Sequence, residues 1–219
     1  VPAFKAKDVG FDRSLIGAYG HDDRVCAYPC ITAALQADTK GKTIISILAD
    51  KEEIGSSGNT GIDSDFVKNF ITGLCCSMGV NERTCLKNSK CLSADVNGAV
   101  DPTYPEVNDK RNASLVNFGA VITKYTGSGG KYDTSDATAE YFAQIRTILD
   151  NNNVIWQTGM LGKVDQGGGG TVAKYIAKLD IDVIDLGVPV LSMHSPFEVV
   201  GKLDVFMTHA AISAFFKDA

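Results

Sequence analysis

The sequence predicts an α/β protein, a three-layer α/β/α sandwich around a mixed, mostly parallel sheet. Short runs of β-branched residues alternate along the chain with longer segments that carry apolar residues at helical spacing. Strands that alternate with helices pair in parallel and need helices on both faces of the sheet. The 219 residues are 44% apolar and 21% charged, which suits one medium-sized domain with a full core, or most of one.

The first half of the chain opens with an irregular segment, because residues 1–21 hold several charges and glycines. A helix is predicted over 23–37, with Asp22 or Asp23 as its cap. TIISILA (43–49) is a continuous apolar run typical of a strand that is covered on both faces. The next predicted elements are an amphipathic helix over 65–78 and strands over 91–96 and 114–125.

The second half continues the alternation of strands and helices. Residues 135–151 begin with Ser and Asp, repeat apolar residues at helical spacing and stop at asparagines, so they predict a helix. VIWQTG (154–159) predicts a strand, and a helix over 171–179 is expected directly after four glycines. The remaining elements are a strand, a turn and a strand over 182–194, and a last helix from about Glu198 to Phe216.

Composition limits the partners and the compartment. A net charge of −5 and a pI of about 5.2 favour neither nucleic acid nor an anionic membrane surface as a partner. No apolar run approaches the ~18 residues of a membrane-spanning helix, and we expect no signal peptide. The six cysteines form no CxxC pair, which favours reduced thiols and a cytoplasmic location over a cysteine-based zinc site.

Possible metal ligands occur where three of the predicted strands end. In open α/β sheets, ligands bind outside the strand ends, where the loops converge. Carboxylates combined with an imidazole suit Zn, Mn or Co, and of two adjacent glutamates one can bind metal while the other acts on water. The residues concerned are Asp50, Glu52 and Glu53, then Asp95, then His194, together with the pair Asp22-Asp23 before a helix.

Each of these features also has a structural explanation. Acidic pairs after strands are usually solvated, Asp-Asp before a helix is usually a cap, and a single histidine is more often structural than a ligand. Asp95 is the most informative residue, because a carboxylate among apolar neighbours in a strand needs a partner. The spacing alone therefore leaves both the metal site and the structural explanation open.

Four segments add a more specific pattern: YGHDDRVCAY (19–28), DKEEIGSSGNTG (50–61), SADVNGAVDP (93–102) and LSMHSPFEV (191–199). In this order they resemble the aspartyl aminopeptidase family of dinuclear metallopeptidases, and the match extends over nearly the whole chain. The resemblance implies an α/β/α sandwich that holds two divalent metal ions, zinc foremost, with cobalt or manganese as alternatives. The implied activity is release of the N-terminal residue of a peptide, with a preference for acidic residues.

The resemblance also implies roles for individual residues. Asp22 would bridge the two metals, and Glu53, Asp95 and His194 would be the further metal ligands. Glu52 would be the general base that takes a proton from water. Lys124, Tyr132, Met193 and Gly168, the last within the run Gly167–Gly170, would lie close to substrate, although solvation of the lysine and core packing of the methionine are the ordinary alternatives.

The chain departs from the family pattern at its N-terminal side. The family has a fifth ligand, a histidine in a His-x-Asp segment, and an inserted dimerisation domain, and neither is recognisable here. We therefore expect residues 1–219 to be the C-terminal portion of the catalytic domain, lacking its N-terminal strands and inactive alone. The expected partners are peptide substrates, the missing N-terminal segment and further copies in a homo-oligomer. The alternative is a non-catalytic assembly or binding module on the same scaffold.

Overall fold

A computed structural model describes residues 1–38, 41–163 and 165–219 and confirms the α/β class. The strands are β1 (Lys7–Val9), β2 (Leu15–Ala18), β3 (Lys90–Ser93), β4 (Asn97–Gly98), β5 (Ala120–Thr123), β6 (Trp156–Thr158), β7 (Asp182–Gly187), β8 (Pro189–Leu191) and β9 (Glu198–Gly201). The helices are α1 (His21–Gln36), α2 (Phe66–Met78), α3 (Glu82–Asn88), α4 (Ala139–Asn151), α5 (Ala173–Ala177) and α6 (Lys202–Asp218).

The strands form two mixed sheets. One has the order β1-β2-β9-β8-β4 and the other the order β3-β7-β5-β6. The pairs β3/β7, β5/β6 and β4/β8 are parallel, and the other pairs in these sheets are antiparallel. Only Val188 separates β7 in one sheet from β8 in the other, so the chain passes directly between the sheets at this residue.

The sheet around β7 lies between two layers of helices, as the sandwich prediction requires. Ile184 and Leu186 of β7 pack into a core formed with α1, α4 and α6. Val183 of the same strand packs on the opposite side against α2, α3 and α5. Because successive side chains of a strand point to opposite faces, Asp185 faces the same side as Val183. Among the described residues, no helix is long and apolar enough to cross a membrane.

Several element boundaries differ from the prediction. Residues 1–21 are not wholly irregular, because β1 and β2 form there and β2 pairs with β9. The last helix begins at Lys202, since Glu198 lies in a strand. The strand predicted over 91–96 ends at Ser93, which places Asp95 just beyond its end.

The strand predicted over 43–49 is not formed. The segment enters no sheet, and one isolated bridge joins Asp50 to Gly61 directly after it. Ile47 and Leu48 are exposed, although the pattern predicts a strand covered on both faces. Ile45 and Ala49 still pack against the core formed with α2, α3 and α5, so what the segment lacks among the described residues is a partner strand.

Candidate metal centre

Asp22 and Asp23 lie at the start of α1, in backbone that is not helical (φ −76°, ψ 107° and φ −120°, ψ 36°). The predicted capping role is wrong, because Gly20 is the N-cap residue and no side chain caps the helix. The two carboxylates are therefore not used by the helix end. The side chain of Asp22 lines a cavity instead, with only 9% of its surface exposed.

Glu52 and Glu53 begin a single 3₁₀ turn, Glu52–Ile54. Lys51 before it and Gly55 after it both have left-handed backbone angles (φ 65° and 84°), which reverse the chain sharply on each side. The Ser56 N–H donates to the Lys51 carbonyl at 2.8 Å, and this bond closes the turn. The result is a short, tight loop that directs both adjacent glutamates into the same cavity.

Asp95 and His194 come from different sheets and reach the same place. Asp95 follows β3, and β7 passes so close to it that a Cβ on Gly187 would lie 1.7 Å from the Asp95 carbonyl oxygen. A glycine in the DLG segment is therefore required for this approach. His194 follows β8 with a left-handed φ of 65°, and this backbone turns its imidazole towards α1.

The structure places the four predicted ligands and the predicted base around one cavity. The Nε2 atom of His194 lies 2.9 Å from an Asp22 carboxylate oxygen and 3.3 Å from one of Glu53. One ligand atom from each of these three residues lies within 4.8 Å of the other two, so the three could hold one metal ion. Asp22, Asp23 and Asp95 form a second group that meets the same distance criterion. Asp22 belongs to both groups. Glu52 lines the cavity beside them.

Burial and mutual repulsion dominate the electrostatics of these carboxylates. Burial, and then the charge of Glu53, raise the pKa of Asp22 from 3.8 to about 6. Burial, with the neighbouring Asp22 charge, raises the pKa of Asp23 to about 8, although a hydrogen bond from the Cys26 thiol opposes the shift. The pKa values of Asp95 and Glu52 are also raised, again chiefly by burial. So many partly buried carboxylates in one cavity are stable together in ionised form only with a cation beside them.

The residues fit a pair of divalent metal ions. One group offers carboxylate oxygens and an imidazole nitrogen, a donor set that suits zinc, and the other offers carboxylate oxygens alone. The Oδ1 atom of Asp23 is buried without a hydrogen-bond partner among the described residues. An orphaned carboxylate oxygen beside two other carboxylates is a natural position for a bound cation.

The predicted substrate residues are placed less uniformly around the cavity of about 350 Å³. Met193 lines it, as do Gly169 and Gly170. Gly168 does not, and a Cβ at this position would lie 1.8 Å from the Gly127 carbonyl oxygen, so its backbone passes closely over a neighbouring loop. Lys124 and Tyr132 are also outside the described lining, since Lys124 pairs with Asp136 and Tyr132 is 78% exposed. Their contact with substrate stays a prediction.

Many of the lining residues were not anticipated as part of the site, and Asp185, Thr171 and Lys174 are three polar examples. Asp185 of β7 is buried, and its carboxylate accepts a hydrogen bond from the Thr171 hydroxyl at 2.7 Å. Burial raises the pKa of Asp185 to about 6. An aspartate inside the apolar strand DVIDLG is the same signal that singled out Asp95, so this residue was detectable. Lys174 has no such signal, because a lysine on a short helix normally points into solvent.

Fold and site together define a class: an α/β/α protein with a carboxylate–histidine cluster in a cavity, whose residues could hold divalent metal ions. The comparison with known families makes the assignment specific. The family model described as aminopeptidase I zinc metalloprotease (M18) matches residues 1–216, so the chain belongs to the M18 family. The resemblance stated from the four sequence segments is thereby confirmed.

Relatives and solved structures agree with this assignment. A probable M18 family aminopeptidase 1 from Borrelia garinii is 47% identical over 225 residues, which cover 100% of this chain and 49% of the relative. The crystal structure of an M18 family aminopeptidase from Thermotoga maritima superposes with a TM-score of 0.96 at 46% identity, over 100% of this chain and 50% of that chain. The crystal structure of aminopeptidase I from Clostridium acetobutylicum superposes with a TM-score of 0.92 at 49% identity, over 99% of this chain and 47% of that chain. The chain thus spans about half the length of the relatives it matches.

Proposed function

We propose that the protein carrying this chain is a two-metal aminopeptidase that removes the N-terminal residue from peptides. The observation that carries the proposal is that Asp22 belongs to both groups of possible metal ligands. A carboxylate has two oxygens and can therefore bridge two cations. Family membership supports zinc, and cobalt or manganese are alternatives for the same donor set.

Each ion would have its own ligands besides the shared Asp22. Glu53 and His194 would hold one ion, because one ligand atom of each lies within 4.8 Å of the other and of an Asp22 carboxylate oxygen. Asp95 would hold the other, and Asp23 lies beside it with its unpartnered oxygen. Divalent ions at these positions supply Lewis-acid activation of water and of a peptide carbonyl.

Glu52 is the proposed general base. It lines the cavity next to Glu53, yet it belongs to neither ligand group, so its carboxylate remains available for a proton. It would take that proton from the attacking water and pass it to the departing amine. The excess of carboxylates in the cavity also favours a substrate with a free, positively charged α-amine, which is the mark of an aminopeptidase substrate.

The substrate preference and the larger assembly belong to the same proposal. Lys174 lines the cavity and lies 2.7 Å from Asp133, and a basic group there supports a preference for acidic N-terminal residues.

Residues 1–219 would form the C-terminal portion of the catalytic domain, with the remaining half of the protein as its partner. Exposed Phe66 and Phe70 on α2 support burial against that portion or in a homo-oligomer. Six free cysteines support a cytoplasmic location.

Metal analysis of Asp22→Asn in the complete protein tests the proposal. We expect two ions per polypeptide in the unmodified protein and a loss of both in the variant, because the shared ligand is weakened for each ion. Asp182→Asn is the control, since this aspartate pairs with Lys90 on the surface at 3.3 Å and should leave the metal content unchanged. Unaltered stoichiometry in Asp22→Asn would show that Asp22 does not bridge.

A further inference from the structure

Glu198 is a fully buried carboxylate that connects two of the proposed metal ligands through their backbone. Only 2% of the residue is exposed. Its Oε2 atom accepts a hydrogen bond from the Asp22 backbone N–H at 3.0 Å, and its Oε1 atom accepts one from the His194 backbone N–H at 2.8 Å. One side chain therefore uses both oxygens to hold two segments that are far apart in the sequence.

The pairing of β2 with β9 explains how Glu198 reaches both segments. Glu198 is the first residue of β9 and pairs with Ala18, the last residue of β2. The chain leaves β2 at this point and reaches Asp22 four residues later. It also enters β9 at this point, four residues after His194. The side chain at this end of the ladder consequently lies between the two approaching segments.

The two N–H groups have little else to bond with. Asp22 has non-helical backbone angles at the start of α1, and His194 lies in left-handed backbone between β8 and β9. Backbone N–H groups that are partly shielded from water and lie outside regular structure need an acceptor. A carboxylate is a strong one, because hydrogen bonds to an ionised acceptor are shorter and stronger than those between neutral groups.

We infer that Glu198 is a positioning residue for the metal centre. It fixes the backbone of Asp22 and His194 so that their side chains meet, which they do at 2.9 Å between carboxylate oxygen and Nε2. Glu198 acts through these residues, since both of its oxygens are directed to backbone. This inference rests on the proposed function, in which Asp22 and His194 bind metal.

Asp204 provides a matched control for a purely structural role. It is also fully buried, and its two oxygens accept the backbone N–H groups of Asn117 and Gly119, each at 2.7 Å. The arrangement is the same as that of Glu198, but it holds the loop before β5, and neither of those partners belongs to the groups of possible metal ligands. Loss of either carboxylate should destabilise the fold, whereas only Glu198 should affect metal binding.

The experiment compares Glu198→Gln with Asp204→Asn in the complete protein. Each amide keeps one acceptor oxygen and turns an NH₂ group towards the second backbone N–H, so both variants should lose thermal stability. Cobalt(II) is titrated into each metal-free protein, and its d–d absorption reports both affinity and ligand geometry. We expect Glu198→Gln to bind cobalt about 10–100-fold more weakly, with an altered spectrum. Asp204→Asn should bind it as the unmodified protein does.

Equal cobalt affinity and equal spectra for the two variants would overturn the inference. If Glu198→Gln does not fold, hydrogen exchange at single amides in the unmodified, metal-free protein decides instead. The amides of Asp22 and His194 should then exchange as slowly as those of Asn117 and Gly119. Rapid exchange would refute the hydrogen bonds from these two amides to Glu198. Failure of the unmodified protein to bind cobalt would contradict the proposed function, while the exchange measurement would still test the role of Glu198.

Discussion

Asp22 is the residue at which the contacts of the proposed metal centre meet. Its side chain lies against His194 and Glu53, and its backbone N–H is held by Glu198. Burial and the neighbouring negative charges raise its pKa to about 6, so near neutral pH the carboxylate is kept in its ionised form at a cost. A bound cation removes that cost, which links the occupancy of the centre to the stability of the fold.

Replacement of Glu52 by glutamine should separate catalysis from metal binding. Glutamine has the same shape but cannot take a proton, so turnover should fall by about 10²–10⁴-fold while the metal content is retained. Steady-state kinetics together with metal analysis of the same sample measure both effects. Glu53→Gln is the matched comparison, because it changes the adjacent residue and should lower metal content as well. Near-normal turnover in Glu52→Gln would exclude the general-base role.

Asp185 should make stability depend on pH. Burial raises its pKa from 3.8 to about 6 in the folded chain, so the folded state binds more protons than the unfolded state between these values. Stability contributed at this site therefore falls as pH rises through that window and stays low above it. Asp185→Asn removes the titration, so its free energy of unfolding relative to the unmodified protein should rise by about 2 kcal/mol from pH 4 to pH 7.

Chemical denaturation of the metal-free proteins at several pH values measures this difference. Asp182→Asn is the control, because Asp182 lies on the same strand with an exposed side chain. Its difference from the unmodified protein should be flat over the same range. A flat difference for Asp185→Asn as well would mean that burial does not hold this carboxylate in its protonated form.

Single residues were predictable from the sequence to different extents. Asp95 was detectable because a carboxylate in an apolar run demands a partner. Asp23 was assigned to capping, since the sequence cannot show that its side chain lies beside the carboxylates of Asp22 and Asp95 and forms no cap. Glu198 had no signal of its own, because its function depends on two N–H groups that are brought together only by the β2–β9 pairing. The sequence pattern of one segment does not show which distant segments the fold brings next to it.

At the scale of elements, helices with a clear apolar stripe were predicted well and short strands less so. The helix predicted over 65–78 is observed as Phe66–Met78, because its spacing and the following Gly79 define one amphipathic element. The segment from Glu198 was assigned to a helix but begins with a four-residue strand. Short apolar runs fit the periodicity of a helix and that of a strand equally well. For this segment, only its pairing with β2 and β8 decides in favour of a strand.

The close approach of β7 to Asp95 should make Gly187 intolerant of any side chain. A Cβ there would lie 1.7 Å from the Asp95 carbonyl oxygen, so Gly187→Ala must displace either the strand or the ligand. We expect a loss of about 3 kcal/mol or more in the free energy of unfolding and weaker metal binding. Both can be measured by denaturation and by cobalt titration.

Gly73→Ala is the corresponding control on a helix. An added Cβ at this exposed position of α2 meets no atom within 4 Å, so alanine should be neutral or stabilise by about 0.5–1 kcal/mol. If Gly187→Ala were tolerated as well as Gly73→Ala, this result would contradict the close contact between β7 and the segment that carries Asp95.

At the scale of the whole molecule, the site depends on the junction of the two sheets. The strand β7 lies between helical layers in one sheet, and β8 continues into the other after Val188. Asp95 follows a strand of the first sheet, whereas His194 and Glu198 belong to the second. The sequence predicts the strands and their acidic ends, but the division into two sheets follows from pairing between distant segments, which no local pattern specifies.

If residues 1–219 are one portion of a longer protein, as proposed, the segment 43–49 should gain protection from hydrogen exchange in that longer protein. Its sequence is that of a covered strand, yet it enters no sheet among the described residues and leaves Ile47 and Leu48 exposed. A partner strand from the other half of the protein would bury these side chains and bond the free backbone groups. Hydrogen exchange should therefore be fast over 43–49 in the 219-residue chain and at least tenfold slower in the complete protein. Residues 182–187 of β7 should be protected in both samples, and equal exchange over 43–49 in the two would rule out pairing of this segment with the remaining half.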